Sequence, residues 1–142
     1  MTPLSLLLNV LWLALGGLPA ALGWVIAAGL MALTIIGLPW TFAALRIALY
    51  TLLPFGMEMR SRPDAGVFSA LGNIVWFVLA GWWLALAHLL IAVALAITII
   101  GLPFAWAHLK LAGLALWPIG KVVVPADEAS RLYGRPWRRG LV

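Results

Sequence analysis

The sequence predicts an all-α, polytopic membrane protein with four transmembrane helices. A tandem internal repeat supplies two crossings per copy, and each copy is followed by a short interfacial helix. Three observations predict this. Of 142 residues, 65% are hydrophobic, 9% are charged and 9 are tryptophan, far from the balance of a soluble domain. No charged side chain occurs from Pro3 to Leu45 or from Ala65 to Leu109. A straight helix over the first run would measure roughly 64 Å against a hydrocarbon core of about 30 Å, so the chain must cross and turn back. The hexamer Thr-Ile-Ile-Gly-Leu-Pro stands at 34–39 and again at 98–103.

Displacing the chain on itself by 64 positions aligns 9–59 with 73–123 without a gap, giving 20 identities in 51 pairs. Asn9 falls on Asn73, Trp12 on Trp76, Gly17 on Gly81, Pro54 on Pro118 and Gly56 on Gly120. The lone cation Arg46 falls on Lys110. Chance agreement in an Ala/Leu-rich chain would collect at Ala and Leu, not at these residues. Internal repeats are a recurring way to build membrane transport folds. The chain divides into a first repeat (1–56), a linker (57–68), a second repeat (69–121) and a basic tail (122–142). The first apolar run lacks a basic leading segment and is too long for a signal sequence, so it is expected to stay in the mature chain.

Two layouts fit the lengths. In the first, each repeat turns near Gly16–Trp24 or Ala80–His88, giving crossings at about 3–18 and 20–38. The Gly-Leu-Pro break then ends the second crossing, and 39–56 continues as an interfacial helix. In the second layout the break is itself the turn, and 39–56 returns through the bilayer with Arg46 several residues deep. Charge favours the first. Lys and Arg collect on the cytoplasmic side, and a cation at the bilayer centre costs about 2.5–3.5 kcal/mol on insertion scales. Both termini and the linker are therefore expected in the cytoplasm, with Arg46 and Lys110 as interfacial cations.

Within each break, proline lacks an N–H and glycine permits unusual dihedrals, so the helix is interrupted. The threonine hydroxyl one turn upstream can satisfy a freed backbone group. Thr34, Gly37, Pro39, Thr98, Gly101 and Pro103 are therefore candidates for a kink, or for a polar path of the kind broken helices form in transporters. Asn9 and Asn73 are amides inside apolar runs, suited to an interhelical hydrogen bond or to pore lining. Pairs of small residues, such as Gly17 with Ala21, permit close helix approach and self-association.

Catalytic chemistry finds little footing. There is no cysteine, no Gly-rich phosphate loop and no metal-ligand spacing. The carboxylates Glu58, Asp64, Asp127 and Glu128 all fall in the linker or tail. His88 and His108 align with Trp24 and Ala44, so the repeat gives no support to a histidine site, and both read as packed or interfacial. Trp24, Trp40 and Trp117 suit headgroup level. The net charge of +5 clusters beside apolar spans, so Arg131, Arg135, Arg138 and Arg139 point to anionic lipid headgroups, not nucleic acid. No enzyme, cofactor or metal is expected.

Residues 71–121 resemble the YccF-type inner membrane component domain. The resemblance rests on Asn73-x-x-Trp76, Gly81-Trp82, Ile97-Thr98-Ile99-Ile100-Gly101-x-Pro103 and Ala115-Leu116-Trp117-Pro118-x-Gly120-Lys121. Residues 9–59 resemble a second, more diverged copy, with Leu53 in place of Trp117 and Met57 in place of Lys121. The resemblance implies a bacterial inner-membrane protein with two crossings per copy and brings no catalytic residues. The expected function is an oligomeric channel or transporter-like component for a small ion or solute. The alternative is a structural or accessory component that recruits partners through surface helices and basic tail.

Overall fold

The computed structural model describes residues 2–133. Among them are five helices: α1 Pro3–Leu33, α2 Leu38–Leu52, α3 Val67–Ala96, α4 Leu102–Leu116 and α5 Ala126–Tyr133. Two short strands accompany them, β1 Met57–Ser61 and β2 Lys121–Pro125. At the start of α1, the Thr2 hydroxyl accepts from Ser5 N at 3.2 Å. Pro3 takes a first-turn position where no N–H is needed.

The turn expected at 16–24 and 80–88 does not form. The helical ladder widens into π-helical turns at Leu13–Gly17 and Phe77–Gly81 and then resumes, in the first copy across a kink at Gly16 (φ 168, ψ −4). Pro19 falls in the first turn of the segment beyond the widening, where its missing N–H breaks no bond, so the interruption bends the helix without ending it. Gly17 serves packing here. A Cβ on it would stand 2.4 Å from the Trp12 ring, so only glycine lets that indole fold against its own helix.

The chain reverses at the hexamer instead. Thr34 leaves the helix in an extended conformation (φ −88, ψ 121), and its hydroxyl donates to Met31 O at 2.9 Å. Gly37 N closes the turn on Thr34 O at 2.9 Å and on Thr34 Oγ1 at 3.1 Å. Thr98 and Gly101 repeat the arrangement, with Gly101 N 3.1 Å from Thr98 O and 3.0 Å from its Oγ1. Beyond each turn, α2 and α4 run back along α1 and α3.

This overturns the expected four crossings from a tandem repeat. Among the described residues only α1 and α3, of 31 and 30 residues, are long and apolar enough to cross a membrane. At 15 residues α4 is roughly 22 Å long, and α2 matches it; both fall short of a core of about 30 Å. They are return arms packed on the long helices. The physical reason lies in hydrogen bonding: at Gly16 the chain leaves helical geometry for one residue and the helix resumes beyond a kink, whereas Thr34 closes a true reversal with its own side chain.

The linker and tail also carry structure. β1 and β2 pair antiparallel, with Met57 opposite Pro125 and Ser61 opposite Lys121. Gly56 and Gly120 stand at φ 90 and φ 88, a left-handed region suited to glycine, and turn each return helix into its strand. Their carbonyls accept from Ala126 N at 3.0 Å and Arg62 N at 2.8 Å, extending the pairing at both ends.

The two hairpins lie head to tail. Trp12 and Phe55, at the open end of the first, meet Phe104 near the start of α4, with ring centroids 6.4 and 5.9 Å apart. Trp40, near the start of α2, meets Phe68 near the start of α3 at 4.8 Å. Midway, Trp24 stacks on Trp76 at 5.4 Å. The pattern is inside out. The first turns of α1 bury Ser5, Asn9 and Trp12 while exposing Leu4, Leu6, Leu7 and Val10, as lipid around the helices requires.

Candidate functional site

Each return helix ends before a proline, Pro54 or Pro118, which cannot donate to the last carbonyls. Side chains from the long helices fill that gap. Asn9 Nδ2 donates to Phe55 O and Asn9 Oδ1 accepts from Phe55 N, both at 3.0 Å. Asn73 does the same with Ile119, both bonds at 2.9 Å, and Nδ2 also donates to Ser69 O at 2.9 Å. Trp12 Nε1 donates to Thr51 O at 2.7 Å and Trp76 Nε1 to Ala115 O at 2.6 Å. Every one of these inter-helix bonds has its counterpart 64 residues along. The two asparagines thus meet return-arm backbone.

Where the hairpins meet, Trp24, His88 and His108 are joined. Trp24 Nε1 donates to His88 Nε2 at 3.0 Å, and His88 Nδ1 lies 2.9 Å from His108 Nδ1. All three are buried. An indole N–H only donates, so His88 accepts at Nε2, donates from Nδ1, and leaves the His108 proton on Nε2. Indole cannot pass a proton on, so the chain of bonds ends there and acts as a polar lock between halves. The sequence alignment put Trp24 and His88 at equivalent positions, and that equivalence was the available signal: residues so related can meet on a two-fold axis. Trp24→Phe should cost about 1–3 kcal/mol by leaving His88 Nε2 without its donor. Trp83→Phe, which loses only a bond to Leu79 O in its own helix, should be near neutral. Thermal unfolding in detergent distinguishes the two.

A cavity of about 550 Å³ opens between β1 and α4. Arg60 of β1, Lys110 of α4 and Lys121 of β2 supply its cations, and Glu58 its one carboxylate. Glu58 Oε2 accepts from Arg60 Nη2 at 2.5 Å, while Arg60 Nε is buried without a partner. Lys121 Nζ donates to Ser61 Oγ at 2.7 Å, and Lys110 Nζ stands 6.0 Å from the Trp106 ring centre. Burial and the nearby Glu58 carboxylate push the Tyr50 hydroxyl up to about 12, so it lines the wall as a neutral donor.

The other residues singled out from sequence are dispersed. Thr34, Gly37 and Pro39, with Thr98, Gly101 and Pro103, form the two reversals and the helix starts that follow. Arg46 is exposed on α2, Lys110 borders the cavity, and Arg131 is exposed on α5. Arg135, Arg138 and Arg139 lie outside the described residues. Trp24 and Trp40, expected at headgroup level, are buried, whereas Trp117 is half exposed. Among the described residues no three of His, Cys, Asp or Glu stand together as a metal site would need.

A family model of the inner membrane component domain, YccF, matches residues 7–57 and again 71–121. The chain belongs to the YccF family. Each matched segment runs from a long helix to the first residue of a strand, Met57 or Lys121. The chain is similar to the inner membrane protein YccF of Escherichia coli (strain K12) and to that of Shigella flexneri. Each is 36% identical over 132 residues, covering 87% of this chain and 89% of the relative. No solved structure matches. As a YccF-family member this is a multi-pass protein of the bacterial inner membrane, and α1 and α3 are its helices long enough to cross.

Proposed function

We propose that this YccF-family protein is a non-catalytic membrane component that holds its two-stranded sheet, and the cationic cavity beneath β1, at the cytoplasmic headgroup layer. The observation that carries the reading is the cavity itself, with Arg60, Lys110 and Lys121 around a single carboxylate. A two-stranded sheet leaves unpaired backbone groups along both outer edges, and hydrocarbon offers them nothing. The sheet face therefore belongs in water or headgroups, and its excess of basic residues favours the cytoplasmic side.

A conduit through a single chain has less support. Asn9 and Asn73 are committed to return-arm backbone, the Thr34 and Thr98 hydroxyls to their own turns. The space between hairpins is filled by Trp12, Trp24, Trp76 and Phe104. The recurrence of each Asn and Trp bond 64 residues along supports a tandem duplication behind the two halves.

Sidedness is directly testable because the protein contains no cysteine. The Asp64 side chain is 76% exposed beside the sheet. Asp64→Cys should react with a membrane-impermeant maleimide in inverted inner-membrane vesicles and stay unlabelled in intact spheroplasts. The opposite pattern would place the sheet in the periplasm and overturn the reading.

A further inference from the structure

We propose that the cavity between β1 and α4 binds a phosphate-bearing anion attached to an apolar chain, supplied by an acidic phospholipid of the surrounding leaflet. This rests on the cavity serving as a headgroup-level binding site, and it names the occupant. Its volume of about 550 Å³ falls within the usual range of small-ligand sites, about 300–1,000 Å³.

The charges are unbalanced. Three cations face one carboxylate, a formal +2. Glu58 is already engaged by Arg60 Nη2. Glu58 pairs with Arg60 and Asp64 with Arg62, so both linker carboxylates are taken up by arginines. The buried Arg60 Nε adds a donor with no acceptor, a costly arrangement unless something arrives to accept. Phosphate oxygens suit this set, because they accept from guanidinium and ammonium groups at once.

The remainder of the wall selects for more than phosphate. Met57, Met59, Leu114 and Trp117 are apolar and border the same space. Trp106 and Trp117 are 62% and 49% exposed, so the cavity opens beside large aromatic surface of the kind that settles between headgroups and acyl chains. Lys110 sits mid-helix, with apolar residues on both sides. Its stem can lie along Trp106 while the ammonium reaches the headgroup level. A lipid phosphate with its glycerol and upper acyl chain satisfies both parts of the wall; a free ion satisfies only one.

The test uses the purified full chain in dodecyl maltoside, titrated with dioctanoyl phosphatidylglycerol. Dioctanoyl phosphatidylcholine and inorganic phosphate serve as comparators, with thermal unfolding and native mass spectrometry as readouts. Phosphatidylglycerol is expected to bind saturably and raise Tm, phosphatidylcholine to leave it unchanged. Lys110→Gln and Lys121→Gln should each weaken binding about tenfold, the scale of one charge-assisted hydrogen bond, and Lys110→Arg should retain it. Neither lysine is buried, so these variants keep the fold where a change at Arg60 risks it. Equal shifts with both lipids, or lysine variants that bind as tightly as the parent, would overturn the site. Inorganic phosphate matching phosphatidylglycerol at equal concentration would overturn the lipid source. Detergent solution is blind to sidedness, so this result and the Asp64→Cys labelling can fail independently.

Discussion

Asn73→Ala should be among the most destabilising single substitutions in the chain, at about 2–6 kcal/mol. That is the cost of leaving two buried backbone groups without partners at about 1–3 kcal/mol each. The asparagine is fully buried, and its amide holds both the N–H and the carbonyl of Ile119 at 2.9 Å. Asn73→Asp should do no better, because a carboxyl oxygen in place of Nδ2 would face Ile119 O. Asn9→Ala should cost less, since Phe55 is only half buried and its freed groups can find solvent. Unfolding by SDS titration or heat in detergent gives the ranking. Asn73→Ala within about 0.5 kcal/mol of the parent, the range of ordinary surface changes, would mean that the staple does not hold the hairpin closed.

Gly101→Ala should be comparably severe for a different reason. Gly101 has φ −74 and ψ −17, an ordinary conformation that alanine adopts freely, so dihedral strain plays no part. Space decides the outcome. A Cβ there would fall 2.1 Å from Leu95 O, 2.5 Å from Thr98 Oγ1 and 2.9 Å from Leu95 C. Two of those atoms are backbone and cannot swing aside. Overpacking usually costs about 1–3 kcal/mol, and a clash with main chain at the reversal should exceed that range. Gly37→Ala meets Met31 O at 2.5 Å and should follow the same course. Gly29→Ala is the control. Beyond its own helical backbone no atom lies within 4 Å of its added Cβ, so the change should be neutral or stabilise by up to about 1 kcal/mol through helix propensity. A folded, parent-like Gly101→Ala protein would show that the reversal tolerates a wider turn.

The sequence carried the membrane class, the 64-residue offset and the family motifs, because each is written locally in composition or spacing. The place of the reversal was not so written. Gly16-Gly17-Leu18-Pro19 and Gly37-Leu38-Pro39 contain the same breakers. What separates them is long-range: Trp12 needs Gly17 bare in order to reach Thr51 O, whereas Thr34 folds back on Met31 O. The charge argument selected the wrong place for the turn for a related reason. It counted Arg46 and Lys110 against a slab of lipid and had no strand pair in view. Val122–Val124 is a β-branched run and a legible strand signal, but Met57–Ser61 has none and becomes a strand only through its partner. Arg60 and Lys121 could not be brought to Lys110 without that pairing. The histidines were discounted because the repeat lacked them in its first half. Their contact depends on that asymmetry: Trp24 is the donor that His88 accepts from.

Head-to-tail packing has a consequence for how the chain is made. Trp12 is covered by Phe104, which leaves the ribosome 92 residues later; at about 5–20 residues per second that is a wait of about 5–18 s. Through that interval the early hairpin stands half dressed, its indole turned toward acyl chains until the later hairpin arrives. Halting synthesis before Phe104 would therefore strand a species whose sticky flank is the one its own sister segment was meant to cover.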